Sequence, residues 1–323
     1  MTRAKPSLNI FDFRRQNSPS QADAATADFT NPQHGNRIRA VSDWRDEGRW
    51  VSTDAGKLFV RSALGEGPTV VLLHGWPTCS YDFHYVIPHL AGRAWLVMDF
   101  LGFGLSDKPR PHRYSLLEQA DLVEEILADA VTGSVVILAH DMGTSVTTEL
   151  LARDLQGRLT FTLDAAVLSN GSVILDKASL RPAQKLLRSP LGPVISRLAN
   201  RQTFTHQLAR LFDPAHPLSG EEAAAEWALA SNNQGNRILH LLIYYLNERI
   251  RYASRWHGAV RDWPKPLGFL WGLNDPVATT NVLDSLRALR PAAPVVELPG
   301  LGHYPQIDDP SAYAAGALRL LTQ

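Results

Sequence analysis

Val135-Val136-Ile137-Leu138-Ala139-His140-Asp141-Met142-Gly143 is the stretch whose reading decides the fold of this chain. A β-branched apolar run stops abruptly at the polar pair His140-Asp141, and Gly143 then opens a helix-like segment. This is the strand–turn–helix context of a nucleophile elbow, in which the reactive side chain sits on a sharp turn between small residues. The small flanking residues here are Ala139 and Gly143, and the nucleophile position holds Asp141. A carboxylate attacking an ester would form an anhydride and be expelled more easily than the alkoxide. It is better suited to displacement at a saturated carbon, giving an alkyl-enzyme ester that water then cleaves. Asp141 therefore points to epoxide opening or carbon–halogen hydrolysis. The competing reading is a helix cap, a position Asp fills well.

Working outward, short apolar strands alternate with helices. Arg49–Thr53 and Lys57–Leu64 read as an antiparallel pair turning at Asp54-Ala55-Gly56. Further strands are predicted at Thr69–Leu73, Ala94–Asp99, Ser134–Leu138, Ala165–Leu168, Pro266–Gly272 and Pro294–Leu298. Leu116, Ala120, Val123 and Leu127 recur at helical spacing over Ser115–Ala130. Other helices are expected from the elbow toward Asp154, near Asn281–Leu289 and over Ser311–Leu321. The pattern implies an α/β fold with a mostly parallel central sheet and helices on both faces. Between Gly171 and Trp263 the alternation lapses into a Leu/Ala/Arg-rich helical region punctuated by Pro182, Pro190, Pro193, Pro214 and Pro217. The expected organisation is a flexible extension over 1–40, a core of 41–171 and 264–323, and a helical cap over 172–263. Such a cap would cover the carboxyl ends of the strands, where open α/β sheets bind ligands.

The chain has 323 residues, long enough for one large domain with an insertion. Lys+Arg and Asp+Glu both number 32, so no overall charge argues for nucleic acid or an anionic membrane. The single cysteine, Cys79, excludes an internal disulfide and agrees with a reducing compartment. The first 20 residues carry Arg3, Lys5, Arg14 and Arg15 without a continuous apolar core, and the apolar run Leu241–Leu246 is too short to span a bilayer. A cytoplasmic location without a transmembrane segment is the expectation. No metal or organic cofactor is implied, because no His/Cys/Asp cluster has ligand spacing.

Partners for Asp141 follow it in the chain. His303, in Leu301-Gly302-His303-Tyr304-Pro305, follows the last predicted strand and is placed to act as general base. Asp275, in Leu273-Asn274-Asp275-Pro276-Val277, would hold His303 in its tautomer and stabilise the imidazolium; an Asp-Pro turn is the plainer reading. The alternative acid position, after the preceding strand, carries Asn170, which has no charge. The amides of Trp76 and Met142 are the expected oxyanion donors. An epoxide needs a proton donor for its alkoxide, and Tyr244-Tyr245 in the cap offers tyrosines, of which at most one points inward.

The set His74-Gly75-Trp76-Pro77, Asp99, Gly102-Phe103-Gly104-Leu105-Ser106-Asp107-Lys108-Pro109, His140-Asp141-x-Gly143, Asp275 and His303 resembles the epoxide hydrolase and haloalkane dehalogenase branch of the α/β-hydrolase family. The resemblance covers roughly residues 45–323. The stretches Asp99–Ala120, LSNGS, NNQGN, SRWHGAV and GHYPQIDDP are similar to the mesoderm-specific transcript proteins. The resemblance implies an α/β-hydrolase fold, with Asp141, Asp275 and His303 as nucleophile, acid and base. Tyr245 resembles the later of two cap tyrosines of epoxide hydrolases; the earlier has no counterpart, since Asp176–Phe212 contains no Tyr. Dehalogenases usually follow the nucleophile with Trp and place Asn or Glu where Trp76 stands, whereas this chain has Met142 and Trp76. Epoxide hydrolysis of a small apolar organic substrate is therefore favoured over dehalogenation by the same triad. The reading from another class is a non-catalytic scaffold that binds a ligand or a protein.

Overall fold

The computed structural model describes residues 41–322, so the extension expected over 1–40 lies outside the described residues. Eight strands form one sheet: β1 Arg49–Thr53, β2 Gly56–Ala63, β3 Glu66–Leu73, β4 Arg93–Met98, β5 Val135–His140, β6 Leu163–Ser169, β7 Leu267–Gly272 and β8 Val295–Leu298. Their order is β1-β2-β4-β3-β5-β6-β7-β8. β1, β2 and β4 pair antiparallel, and β4, β3, β5, β6, β7 and β8 run parallel. The apolar run at the elbow is the centre of this sheet. Val71 faces Ile137 across β3 and β5, and Ile137 faces Ala166 across β5 and β6. Every residue of β5 and of β7 is buried, so both faces of the sheet are covered and the strands read as continuous apolar runs.

The chain passes from β3 to β4 on one side, then returns to β5 on the other side of β3. That reversal leaves a crevice beyond the carboxyl ends of β3 and β5, the place where open α/β sheets bind ligands. The flanking helices hold their positions by recognisable local chemistry. Ser115 caps the helix Leu116–Ala130 by accepting from the Leu117 N–H, and Asp309 caps Pro310–Leu321 through the Ala312 N–H. The latter packs so closely on β7 that a Cβ on Gly316 would lie 2.8 Å from Leu270.

Between β6 and β7 the chain is helical, from the turn at Leu175–Lys177 to the helix Ala253–Asp262. A second, smaller apolar cluster joins this insertion to the strand ends: Phe204, Leu208, Leu211 and Phe212 pack with Val277 and Tyr304. Single-turn helices that the periodicity did not indicate occur at Ser80–Phe83, Ile87–Leu90 and Pro305–Asp308. They are too short to display a period.

Candidate active site

Asp141 occupies the turn between β5 and the helix Met142–Leu155 with φ 41° and ψ −107°. A non-glycine residue takes that conformation only where its surroundings impose it. Here the first turn of the helix is drawn against the end of β3: a Cβ on Gly143 would lie 2.3 Å from the Leu73 carbonyl oxygen. One on Gly75 would lie 2.7 Å from the Asp141 Cβ. The two glycines thus let three backbone segments converge on one carboxylate. Although it stands at the head of the helix, the Asp141 side chain makes no capping bond to it. Its Oδ2 instead accepts the Trp76 N–H at 3.0 Å. The Thr144 N–H and hydroxyl both donate to the Asp141 backbone carbonyl. Met142 is the first residue of the helix, where an N–H has no acceptor within the helix.

His303 and Asp275 meet on the same side of the sheet. His303 Nδ1 lies 2.7 Å from Asp275 Oδ2. The Val277 and Ala278 N–H groups donate to Oδ1 at 2.7 and 2.9 Å. The Asn170 amide donates to Oδ2 at 2.8 Å and to the Gly272 carbonyl, while its oxygen accepts the Gly272 N–H. Burial alone would raise the Asp275 pKa; the His303 charge and these donors hold it below the usual carboxylate range. Burial would likewise lower His303, but the Asp275 charge and hydrogen bond, with Asp141 and Asp82 beyond, raise it above 6.5. The His303 backbone N–H donates to the Leu211 carbonyl at 2.8 Å, so the helical insertion fixes the loop that carries the imidazole.

Two other histidines near the elbow are neutral props. Burial pushes both His74 and His140 down to about 4. His74 Nε2 accepts the Phe100 N–H, which places its proton on Nδ1, 2.8 Å from the Gly75 carbonyl. His140 Nε2 donates to the His303 carbonyl at 2.7 Å, tying the elbow to the loop that carries the imidazole.

Sequence reasoning missed Arg249. It is 1% exposed, and its guanidinium lies under the elbow. Nε donates to Ser145 Oγ at 2.8 Å, Nη2 donates to the Asp141 carbonyl at 3.0 Å, and Nη2 stands 3.5 Å from Asp141 Oδ1. The same guanidinium covers the Tyr245 ring at 4.6 Å. Tyr245 is buried, its hydroxyl kept protonated by desolvation and by the Asp141 charge. It sits behind Arg249 and is not among the residues lining the cavity described next.

A cavity of about 440 Å³ lies between the insertion and the strand ends. Trp76, Pro77, Val277 and His303 form its floor, and Leu187, Ile195, Phe204, Leu208 and Leu239 are among its apolar walls. The Trp76 indole Nε1 is buried and has no hydrogen-bond partner among the described residues. Behind the site, Asp82 accepts from the Thr78 hydroxyl at 2.7 Å, and the helix Gly220–Ser231 brings Glu222 and Glu226 close to it. Burial raises all three carboxyls, Glu222 to about 7. Among the described residues no group of three or more His, Cys, Asp or Glu side chains is arranged to hold a metal ion.

The comparisons agree with this architecture. A family described as "alpha/beta hydrolase fold" matches residues 68–310. LipZ of Mycobacterium tuberculosis, which carries the name of a hydrolase, is 71% identical over 282 residues, covering 87% of this chain and 98% of that protein. The mesoderm-specific transcript homolog protein of Homo sapiens is 36% identical over 286 residues, covering 85% of each. Among solved structures, haloalkane dehalogenase DbeA from Bradyrhizobium elkani superposes with a TM-score of 0.72 at 21% identity, covering 85% of this chain and 97% of that one. With an eight-stranded, mostly parallel sheet and a match over most of its length, this chain belongs to the α/β-hydrolase family.

Proposed function

We propose that the chain hydrolyses a bond at a saturated carbon of a small apolar substrate through an ester on Asp141, with an epoxide as the first candidate. One observation carries the reading. The carboxylate at the elbow does not cap its own helix but is turned to the N–H of Trp76 and acts on His303 of the His303–Asp275 pair, and both Trp76 and His303 line the apolar cavity.

In the first step an Asp141 carboxylate oxygen attacks the ring carbon, the carbon–oxygen bond of the epoxide breaks, and the alkoxide takes a proton from water and leaves hydroxide, since Tyr245, the donor expected from the sequence, does not line the cavity. In the second, His303 removes a proton from water and the hydroxide adds to the Asp141 carbonyl carbon. The oxyanion so formed is held by the Trp76 and Met142 N–H groups. Collapse breaks the acyl–oxygen bond, the leaving alkoxide takes the His303 proton to complete the diol, and the acid left on Asp141 gives its proton to the hydroxide from the first step, which restores the carboxylate. Asp275 stays ionised and holds the imidazolium. Arg249, with Nη2 3.5 Å from Oδ1, favours that final return of negative charge.

Carbon–halogen hydrolysis is the second reading, favoured by the unpartnered Trp76 indole N–H beside the cavity, which suits a departing halide. The product would then be an alcohol, a proton and the halide. A single turnover in 18O-labelled water, run with panels of terminal epoxides and primary alkyl halides, tests the reading. The ester route leaves heavy oxygen in the Asp141 peptide and ordinary oxygen in the first product. Heavy oxygen found directly in that product, with none in Asp141, would refute it.

A further inference from the structure

Neutrality of the whole chain conceals a segregation of charge on the insertion. Ala178–Phe212 contains Arg181, Lys185, Arg188, Arg197, Arg201 and Arg210 and no Asp or Glu. None of the six forms an ion pair among the described residues, whereas other arginines do: Arg153, Arg249 and Arg255 all face carboxylates. Interleaved with the six cations are the large apolar side chains Leu186, Leu191, Val194 and Leu198, which are 41, 58, 51 and 66% exposed. Leu191, Val194 and Leu198 are spaced three and four apart along one face at the helix Gly192–Leu198. So many large apolar side chains exposed among unpaired cations within one short segment are unusual for a surface that only meets water.

The patch is continuous with the way into the site. Leu186, Leu198 and Arg210 are exposed on the outside and also line the cavity, and half-buried Arg181 lines it with them. The same residues therefore face solvent and the cavity that ends at Trp76 and His303. No described helix is long and apolar enough to cross a membrane, so any lipid contact of these residues is one of lying on the surface.

We propose that this face of the insertion docks on an anionic phospholipid bilayer, with Leu191, Val194 and Leu198 entering the headgroup boundary and the exposed cations Lys185, Arg197, Arg201 and Arg210 meeting lipid phosphates and carboxylates, while Arg188 is turned inward to Asn247. The charge pattern selects this occupant. A second copy of the chain would bring the same exposed cations against themselves, and the leucines have no use on a nucleic acid backbone. Interfacial elements of this kind bind through buried apolar area together with attraction to acidic lipids. Docked so, the cavity mouth opens onto the phase in which an apolar substrate is concentrated. The proposal holds whichever bond the site cleaves, because its readout is partitioning and not turnover.

The test is co-sedimentation of the full chain with vesicles of phosphatidylcholine alone and of phosphatidylcholine containing phosphatidylglycerol. Binding to the anionic vesicles, weakened by salt, is expected. Each cation near such a surface is worth about a fivefold gain in partitioning, so loss of three costs on the order of a hundredfold, and the triple variant Lys185→Glu, Arg197→Glu, Arg201→Glu, which also adds three anions, should bind more weakly still. The double variant Leu191→Ser, Val194→Ser should keep low-salt binding and lose the part that resists salt. These five residues are outside the cavity lining and exposed, so urea unfolding should match the unmodified chain and separate lost docking from lost fold. A Leu191→Trp reporter should shift its fluorescence to the blue on anionic vesicles. The proposal is overturned if anionic and neutral vesicles bind equally or not at all, or if binding survives the triple reversal. It is also overturned if the serine variants dissolve a dimer seen by light scattering while vesicles are ignored, or if an oligonucleotide is retained and vesicles are not.

Discussion

Replacing Arg249 with Met removes a guanidinium that no sequence motif singled out, while keeping most of its stem. Three contacts go with it: the 2.8 Å bond to Ser145, the 3.0 Å bond to the Asp141 carbonyl and the 3.5 Å approach to Oδ1. Hydrogen bonds from a charged donor are worth about 1.5–3 kcal/mol each. The larger effect is what stays behind. Arg249 is 1% exposed and Asp141 3%, so the variant leaves a carboxylate buried without its cation, and breaking one side of a buried pair costs about 3–5 kcal/mol. That is a large part of a typical domain stability of roughly 5–15 kcal/mol. Urea unfolding should therefore show a loss of about 3–5 kcal/mol for Arg249→Met. Arg249→Lys should lose less, since one ammonium keeps the charge but cannot span Ser145 and the elbow carbonyl together. A change under about 1 kcal/mol for Arg249→Met would refute the reasoning, because two structural bonds and a buried charge cannot all matter and vanish at so little cost.

Three further outcomes follow from the titrating groups and the elbow. Against burial, His303 is raised chiefly by Asp275, whose charge persists in the ester, and protonated imidazole cannot take a proton from water, so decay of the ester should fall as pH drops and His303 becomes protonated; stopped-flow decay rates that do not fall on acidification would contradict the assignment. Glu222 has a folded value of about 7 against 4.5, so the stability it contributes is present below 4.5 and is lost as pH rises through about 7. Glu222→Gln should accordingly raise unfolding stability at pH 8 by up to about 3 kcal/mol, at 1.36 kcal/mol per pKa unit, and change little at pH 4; equal effects at both pH values would sink this. Gly143→Ala, whose Cβ would meet the Leu73 carbonyl at 2.3 Å, should lower the thermal midpoint markedly, and an unchanged midpoint in calorimetry would deny the close approach of elbow and β3.

Much of the fold could be read from residues that act locally. The β-branched run before Asp141 and the helical recurrence of Leu116, Ala120, Val123 and Leu127 each name their element through a period, and the structure has strand and helix there. His303 and Asp275 stand out because they follow strands, at the chain positions where such partners fall, and they meet at 2.7 Å. What escaped depends on contacts distant in the chain. Arg249 lies 108 residues after Asp141, and nothing in Tyr245-Leu246-Asn247-Glu248-Arg249 tells a buried arginine from an exposed one. Asn170 was set aside because it carries no charge, yet its amide spans β6 and β7 to bind Asp275. Its place after a strand is legible in the sequence, but its φ of +44° and its reach to Asp275 emerge only on folding. The six cations of Ala178–Phe212 were in plain view but were averaged away in a chain whose total charge is zero.

The account turns on whether Asp141 forms a bond to substrate. With His303→Gln the ester should form and persist, because attack by the carboxylate does not need the imidazole while its hydrolysis does. Mass spectrometry of that variant, incubated with whichever epoxide or alkyl halide the unmodified chain turns over, should find the substrate's mass added to the peptide bearing Asp141 and absent from Asp141→Asn. Turnover by the unmodified chain with no adduct on Asp141 in the variant, or full activity in Asp141→Asn, would contradict the account.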